Sequence, residues 1–219
     1  MPGAMTTDTG FSVSPGDGAA AAGLSRRVLV TGAAGGMGRA ICLALAHDAR
    51  RRGQRLQLAA FGSRPAAALE TLQAELAALQ ADLRVVCVDL TEPQATAQAV
   101  QDAIAWAGGL DTLISNAGQS RPGQLATLDV AEWDRCFALN TRATWTLAQA
   151  ARPALAAARG SLVAVASMSG LQAHPGYGAY SAAKAALIML CRQLALEWGD
   201  MGIRVNTCLL YTSPSPRDS

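Results

Sequence analysis

Residues Arg27 to Gly38 read RVLVTGAAGGMG. RVLVT, Arg27 to Thr31, is a short apolar run with β-branched residues, and glycines end it. That pattern predicts a buried strand running into a tight turn. Met37 onward carries helical spacing to Arg52. Strand, glycine turn and helix in this order let the backbone approach a pyrophosphate at a helix N-terminus. The spacing is TGxxxGxG over Thr31, Gly32, Gly36, Met37 and Gly38, not the commoner GxGxxG. Taken alone, a glycine-rich turn is weak evidence, with a plain tight turn as the lesser alternative.

The rest of the chain repeats the alternation. Strands are expected at Leu56 to Phe61, Leu83 to Val88, Asp111 to Ser115, Ser161 to Ala166 and from Ile203 to Thr207. Helices are expected at Pro65 to Gln80, Pro93 to Trp106 and Ala179 to Trp198. Val130 to Ala158 carries one long helical pattern with a bend expected near Pro153. Strands alternating with helices imply parallel pairing through right-handed crossovers. The prediction is an α/β fold: one Rossmann-like, doubly wound parallel sheet in a three-layer α/β/α sandwich. Thr31, Asp89, Asn116 and Ser167 fall at or just past strand ends, where such sheets bind ligands.

Composition narrows the function classes. The 219 residues suit one domain with a sizeable core. A net charge of +2 is too small to argue for nucleic acid, and sparse aromatics argue against base stacking. The five cysteines form no CxxC pair and no metal-ligand spacing with the two histidines, so no metal site is expected. They read as small thiols in a reducing compartment, which points to the cytoplasm. No apolar run reaches the roughly 18 residues that span a bilayer. Residues 1–25 read as a disordered leader without a secretory pattern.

The chemistry-bearing residues lie in the C-terminal half. Tyr180 and Lys184 stand four apart in YGAYSAAKAAL, so on a helix the phenol and the ammonium share one face. A cation beside a phenol favours the phenolate and brings its acid/base chemistry towards neutral pH. Ser167 lies thirteen residues upstream of Tyr180 and could hold the oxygen that gains or loses the proton. Tyr177 lacks a lysine four residues on and reads as a pocket wall; His174 reads as a loop residue near it. In SNAG, Ser115 to Gly118, Asn116 could fix neighbouring backbone while Gly118 lets the chain pass close to a ligand. Asn140 sits inside a helical, apolar stretch where asparagine competes for backbone groups, so a bend or a held water would explain it.

In order, TGAAGGMG, Asp89 in VDL, SNAG, Asn140, Ser167 and YSAAK resemble the short-chain dehydrogenase/reductase family over roughly Arg27 to Thr207. The resemblance implies an NAD(P)(H)-dependent oxidoreductase acting on a small carbonyl or secondary alcohol, a carbonyl or 3-oxoacyl-thioester reductase. It implies Tyr180 as general acid/base and Lys184 on the nicotinamide ribose, with Ser167 orienting the substrate oxygen and Asn140 holding a relay water. Asp89 and Leu90 would contact adenine, and Asn116, Ala117 and Gly118 would lie along the adenosine side. Dimers or tetramers through the long helices are implied as well.

The end of the second strand bears on the cofactor. Ala60, Phe61, Gly62, Ser63 and Arg64 include no acid to grip ribose hydroxyls, and Arg64 could meet a 2′-phosphate, so NADP is expected over NAD. After Thr207 the chain reads CLLYTSPSPRDS, which shows no strand or helix period and resembles a translated sequencing-adapter end. Residues 208–219 are therefore expected to be a non-native tail, with six strands present and the family's usual seventh missing. The competing reading is a dinucleotide-binding sensor or scaffold without turnover, or an inactive fragment.

Overall fold

The computed structural model describes residues 25–63, 69–121 and 123–210. The leader expected before Ser25, Arg64, the expected helix start at Pro65 and residues 211–219 lie outside the described residues. The strands are β1 (Ser25–Thr31), β2 (Arg55–Gly62), β3 (Ala81–Cys87), β4 (Thr112–Ser115), β5 (Ser161–Ser167) and β6 (Arg204–Leu210). They form one parallel sheet in the order β3-β2-β1-β4-β5-β6. The order reverses between β1 and β4, which leaves a crevice beyond their carboxyl ends.

Helices cover both faces. α1 (Gly36–Arg51) and α2 (Glu70–Ala78) pack Cys42, Ala46, Leu72 and Leu76 on Val28, Val30, Leu56 and Leu58. α3 (Pro93–Ala107), α5 (Ala143–Ala157) and α6 (Gly178–Trp198) pack Val100, Leu147, Leu155, Leu187 and Leu194 on Leu29, Phe61, Leu113 and Leu162. Successive strand residues face opposite layers, so strands covered on both sides read as continuous apolar runs. Local chemistry sets the helix ends. Pro93 opens α3 at its first position, and Gly108 closes it in the left-handed region at φ 70°. Arg50 and Arg51 sit at the negative end of the α1 dipole.

Two expectations are corrected. The long helical pattern is interrupted at Ala138–Arg142 by a π turn, between α4 (Val130–Phe137) and α5. Ala143 N–H bonds to Ala138 O, five residues back. Pro153, where the bend was expected, stays inside α5. It is exposed, as is Gln149, so the carbonyl freed at that turn faces water. The second correction concerns β6, which runs to Leu210, three residues past the expected boundary. Cys208, Leu209 and Leu210 pair with Val165, Ala166 and Ser167 of β5. No helix among the described residues is long and apolar enough to cross a membrane.

Gly38 holds the glycine turn against its own start. A Cβ there would stand 2.1 Å from Gly32 O and 2.8 Å from Ala33 Cα. Helix propensity alone would make Gly38→Ala stabilising by about 1 kcal/mol. Backbone overlap reverses the sign, and the variant is expected to lose about 1–3 kcal/mol. Urea unfolding of the two proteins measures it, and equal or greater stability in the alanine variant would contradict this packing.

Candidate active site

The crevice at the switch point is a cleft of about 690 Å³. Gly32, Gly36, Met37 and Gly38 line it from the glycine turn, with Gly62 and Ser63 from the end of β2. Asp89 and Leu90 line it after β3, Asn116, Ala117 and Gly118 after β4, and Asn140 from the π turn. Thr31 does not reach the cleft. It is fully buried, and its Oγ1 accepts from Asn116 N at 3.0 Å and Ala117 N at 2.9 Å. Asn116 Nδ2 returns to Thr31 O at 3.0 Å and Gly32 O at 3.4 Å. These bonds lock the ends of β1 and β4 together.

The N-terminus of α1 points at this cleft uncapped. Its N-cap, Gly35, supplies no side-chain bond, and its first turn holds no acid. A Cβ on Gly36 would meet nothing within 4 Å. Free N–H groups, the positive end of a helix dipole and room for close approach suit an anion such as a pyrophosphate. Asp89 accepts from Thr91 N and Oγ1 at 2.9 and 2.8 Å. Those bonds, and then the charge of Arg135, hold its carboxyl below the ordinary range.

The second half of the site gathers at the inner end of the cleft. Asn140 is 1% exposed and fully committed to main chain. Its Nδ2 donates to Gln119 O and Cys136 O, both at 3.0 Å, and its Oδ1 accepts from Gln119 N at 3.2 Å. The bond to Cys136 O supplies a partner for a carbonyl four residues back on a helix that widens into a π turn. Gly118 gives this cluster its space. A Cβ there would lie 2.8 Å from Asn140 Oδ1 and 3.2 Å from Lys184 Nζ.

Lys184 is 3% exposed and donates from Nζ to Val165 O at 2.9 Å. Burial pulls its ammonium down to about 8, against smaller opposite pulls from Cys136 and Cys191. Nζ stands 5.6 Å from the centre of the Tyr180 ring. Tyr180 is half-buried on α6, next to the cleft-lining Ala179. Its phenol is pushed above its ordinary value, first by burial, while the neighbouring Ser167 hydroxyl pulls it back. The ammonium is held to a β5 carbonyl, and desolvation dominates at Tyr180. Ser167 Oγ also accepts from Ser169 N at 3.1 Å, which opens a short 3₁₀ turn after β5.

Several contributors had no weight in the sequence reading. Cys136 lines the cleft with its Sγ 3.5 Å from Asn140 Nδ2. Its position four residues before Asn140 would have placed it there by helical spacing. Gln119 holds Asn140, and Arg121, Glu132 and Arg135 rim the cleft. Arg135 Nε and Arg121 Nη1 reach Glu132 Oε1 at 3.8 and 3.5 Å. These are exposed pairs of little energetic weight. Tyr177 packs between His174 and Tyr180, at 5.9 and 6.0 Å between ring centres. No cluster of potential metal ligands exists among the described residues.

A doubly wound sheet with a glycine turn and an uncapped helix start at its crevice, and a Ser-Tyr-Lys cluster beside the lining Gly118 and Ala179, defines a Rossmann-like dinucleotide-binding domain. The family described as short chain dehydrogenase matches residues 26–214, and the chain belongs to that family. An uncharacterized NAD-dependent oxidoreductase of Mycobacterium tuberculosis is 36% identical over 157 residues, 69% of this chain and 57% of that protein. The chain thus spans little more than half of that relative. D-threitol dehydrogenase of Mycolicibacterium smegmatis is 34% identical over 82% of this chain and 66% of its own length. The crystal structure of a short chain dehydrogenase from Burkholderia cenocepacia in complex with NADP superposes with a TM-score of 0.77 and 32% identity. That match covers 83% of this chain and 72% of the other.

Burying Lys184 has a stability signature. Its folded pKa of about 8 lies below the ordinary 10.5, so the fold bears the cost of the buried charge at all pH values below 8. Between 8 and 10.5 the unfolded chain holds the proton and the fold does not, so stability from this group rises with pH. Lys184→Met is therefore expected to be more stable than the parent at pH 7 by about 1–2 kcal/mol. The gap should close as pH approaches 10. Paired urea melts at pH 7 and 9.5 read it, and a destabilised methionine variant at pH 7 would refute it.

Proposed function

We propose that this chain is the dinucleotide-binding and catalytic part of an oxidoreductase interconverting a carbonyl and a secondary alcohol, with Tyr180 as general acid/base. The observation that carries the reading is adjacency. Gly118 and Asn140 line the cleft that begins at the glycine turn, and Lys184 Nζ comes close to Gly118. Tyr180 lies next to Lys184 Nζ, and the Ser167 hydroxyl is near enough to pull its phenol down.

Gly32, Gly36, Met37 and Gly38, with the start of α1, would receive the pyrophosphate of a nicotinamide dinucleotide. Asp89 and Leu90 would hold the adenine, and Asn116, Ala117 and Gly118 the adenosine side. Thr31 supports them from beneath. Lys184 would donate to the nicotinamide ribose hydroxyls. Bound there, the nicotinamide would give or take the hydride, leaving the proton to the protein. In the reducing direction Tyr180 Oη donates its proton to the carbonyl oxygen; in the oxidising direction it receives the alcohol proton. A phenol pushed upward keeps its proton at neutral pH and so starts as the acid. Ser167 Oγ orients the substrate oxygen, and Asn140 keeps the Gln119 backbone and the π turn fixed around the site.

The cofactor is proposed to be NADP(H). Gly62 and Ser63, which line the cleft at the end of β2, carry no carboxylate to repel a 2′-phosphate. Arg64 would be its partner. The family accommodates either choice: the tuberculosis relative is described as NAD-dependent, and the Burkholderia structure holds NADP. The enzyme is proposed to act as a homo-oligomer in the cytoplasm on a small molecule, without nucleic acid or membrane.

Tyr180→Phe separates catalysis from binding. It is expected to lower turnover by about 100-fold or more while NADPH binding, read by fluorescence titration, stays within a few-fold. Turnover that survives the substitution would reject Tyr180 as the general acid/base, and a parent chain that binds dinucleotide without any turnover would leave only a sensor. Parallel titrations should give a lower Kd for NADPH than for NADH, and the reverse order would reject the 2′-phosphate assignment.

A further inference from the structure

We propose that Thr141 is a positioning residue of this site: its hydroxyl, bonded to the Ala183 carbonyl, fixes the turn of α6 that presents Lys184. Thr141 Oγ1 donates to Ala183 O at 2.8 Å, and Ala183 is the residue immediately before Lys184. Thr141 directly follows Asn140 in the π turn. One irregular turn therefore sends two consecutive side chains to two different walls. Asn140 holds the loop at Gln119, and Thr141 holds the helix at Ala183.

The need for such a bond follows from how Lys184 is seated. Its stem has four rotatable bonds, yet its tip lies between Val165 O at 2.9 Å and the space left by Gly118. A missing Cβ at 3.2 Å is all the clearance on that side. A small slide of α6 away from the π turn would draw Nζ out of this slot and let water in. The titratable groups facing Nζ are Tyr180 and Cys191 from its own helix and Cys136 from α4. β5 and the 116–119 segment contribute none, and Arg142 turns away to Thr91 O at 2.8 Å.

The sequence supplies a direct probe. Lys184 is the only lysine among the 18 Lys and Arg residues. The chain grown with ¹³Cε,¹⁵Nζ-lysine therefore gives one lysine signal, whose pH titration reads the surroundings of Nζ. Thr141→Val keeps the shape and removes the donor. Its titration midpoint is expected to rise towards the ordinary amine range by about half a pH unit or more, as water reaches Nζ. Thr141→Ser should restore the original midpoint. If the valine variant does not fold, Thr141→Cys, a weaker donor of similar shape, should shift the midpoint in the same direction. A bond that merely staples two helices would lower the melting temperature and leave the midpoint untouched, and that result overturns the proposal.

The consequence for turnover rests on the oxidoreductase reading, and a second arm separates the two. Adding NADPH or NADH to the parent chain should move the lysine signal. If neither does while the Thr141 series behaves as described, the cofactor reading fails and the positioning role stands. If the dinucleotide moves the signal but Thr141→Val titrates like the parent, the positioning role fails alone.

Discussion

Four hydrogen bonds at the switch point hold the ligand-binding end of this sheet together. Strands β1 and β4 are neighbours in space but lie on opposite sides of the topological reversal, and their pairing stops at Val30 and Ile114. Beyond that point nothing in the ladder keeps the two chains together. Thr31 and Asn116 take over with Oγ1 accepting from two main-chain N–H groups and Nδ2 donating to two carbonyls. Each bond is worth about 1 kcal/mol net, but all are largely withdrawn from water, where an unmade bond costs more than a made one gains. The glycine turn on one side and the SNAG loop on the other inherit their positions from this joint.

A second joint depends on the first. Gly118 follows Asn116 by two residues, so its placement is set once Asn116 is tied down. Its bare Cα then admits Asn140 and Lys184 together, which no other residue could do at those distances. The π turn completes the arrangement by breaking helical register where Asn140 must face the loop and Thr141 must face α6. A regular α-helix would send consecutive side chains about 100° apart with every carbonyl already bonded. The widened turn leaves backbone for the asparagine to satisfy.

The legible part of this architecture was the part encoded locally. Val28 to Val30 followed by glycines is a buried strand entering a turn in any context, and an Asn-Gly pair at a strand end asks for side-chain bonds to nearby backbone. The Ala-rich face of α6 and the four-residue spacing of Tyr180 and Lys184 likewise needed no tertiary knowledge. What failed was non-local. The π turn at Ala138–Arg142 carries no proline or glycine to announce it. Cys208 to Leu210 has no strand period of its own and is recruited by the register of β5. The seat of Lys184 was equally out of view, because the carbonyl that holds its ammonium, Val165 O, is on a strand nineteen residues upstream.

That carbonyl bears on why a lysine stands at this position. An arginine of similar reach would keep its charge whatever its surroundings, and burying it without a carboxylate would cost several kcal/mol. An ammonium can be drawn into a slot between a carbonyl and a glycine because its pKa can fall. It falls to about 8, so the group is still mainly charged at neutral pH, when an anionic or hydroxyl-rich ligand would need it. The remaining cations of the chain are arginines, and those in ion pairs lie at partly exposed positions. The chain keeps its single amine where a compact, partly desolvated charge is required, and the fold bears the cost of that burial around it.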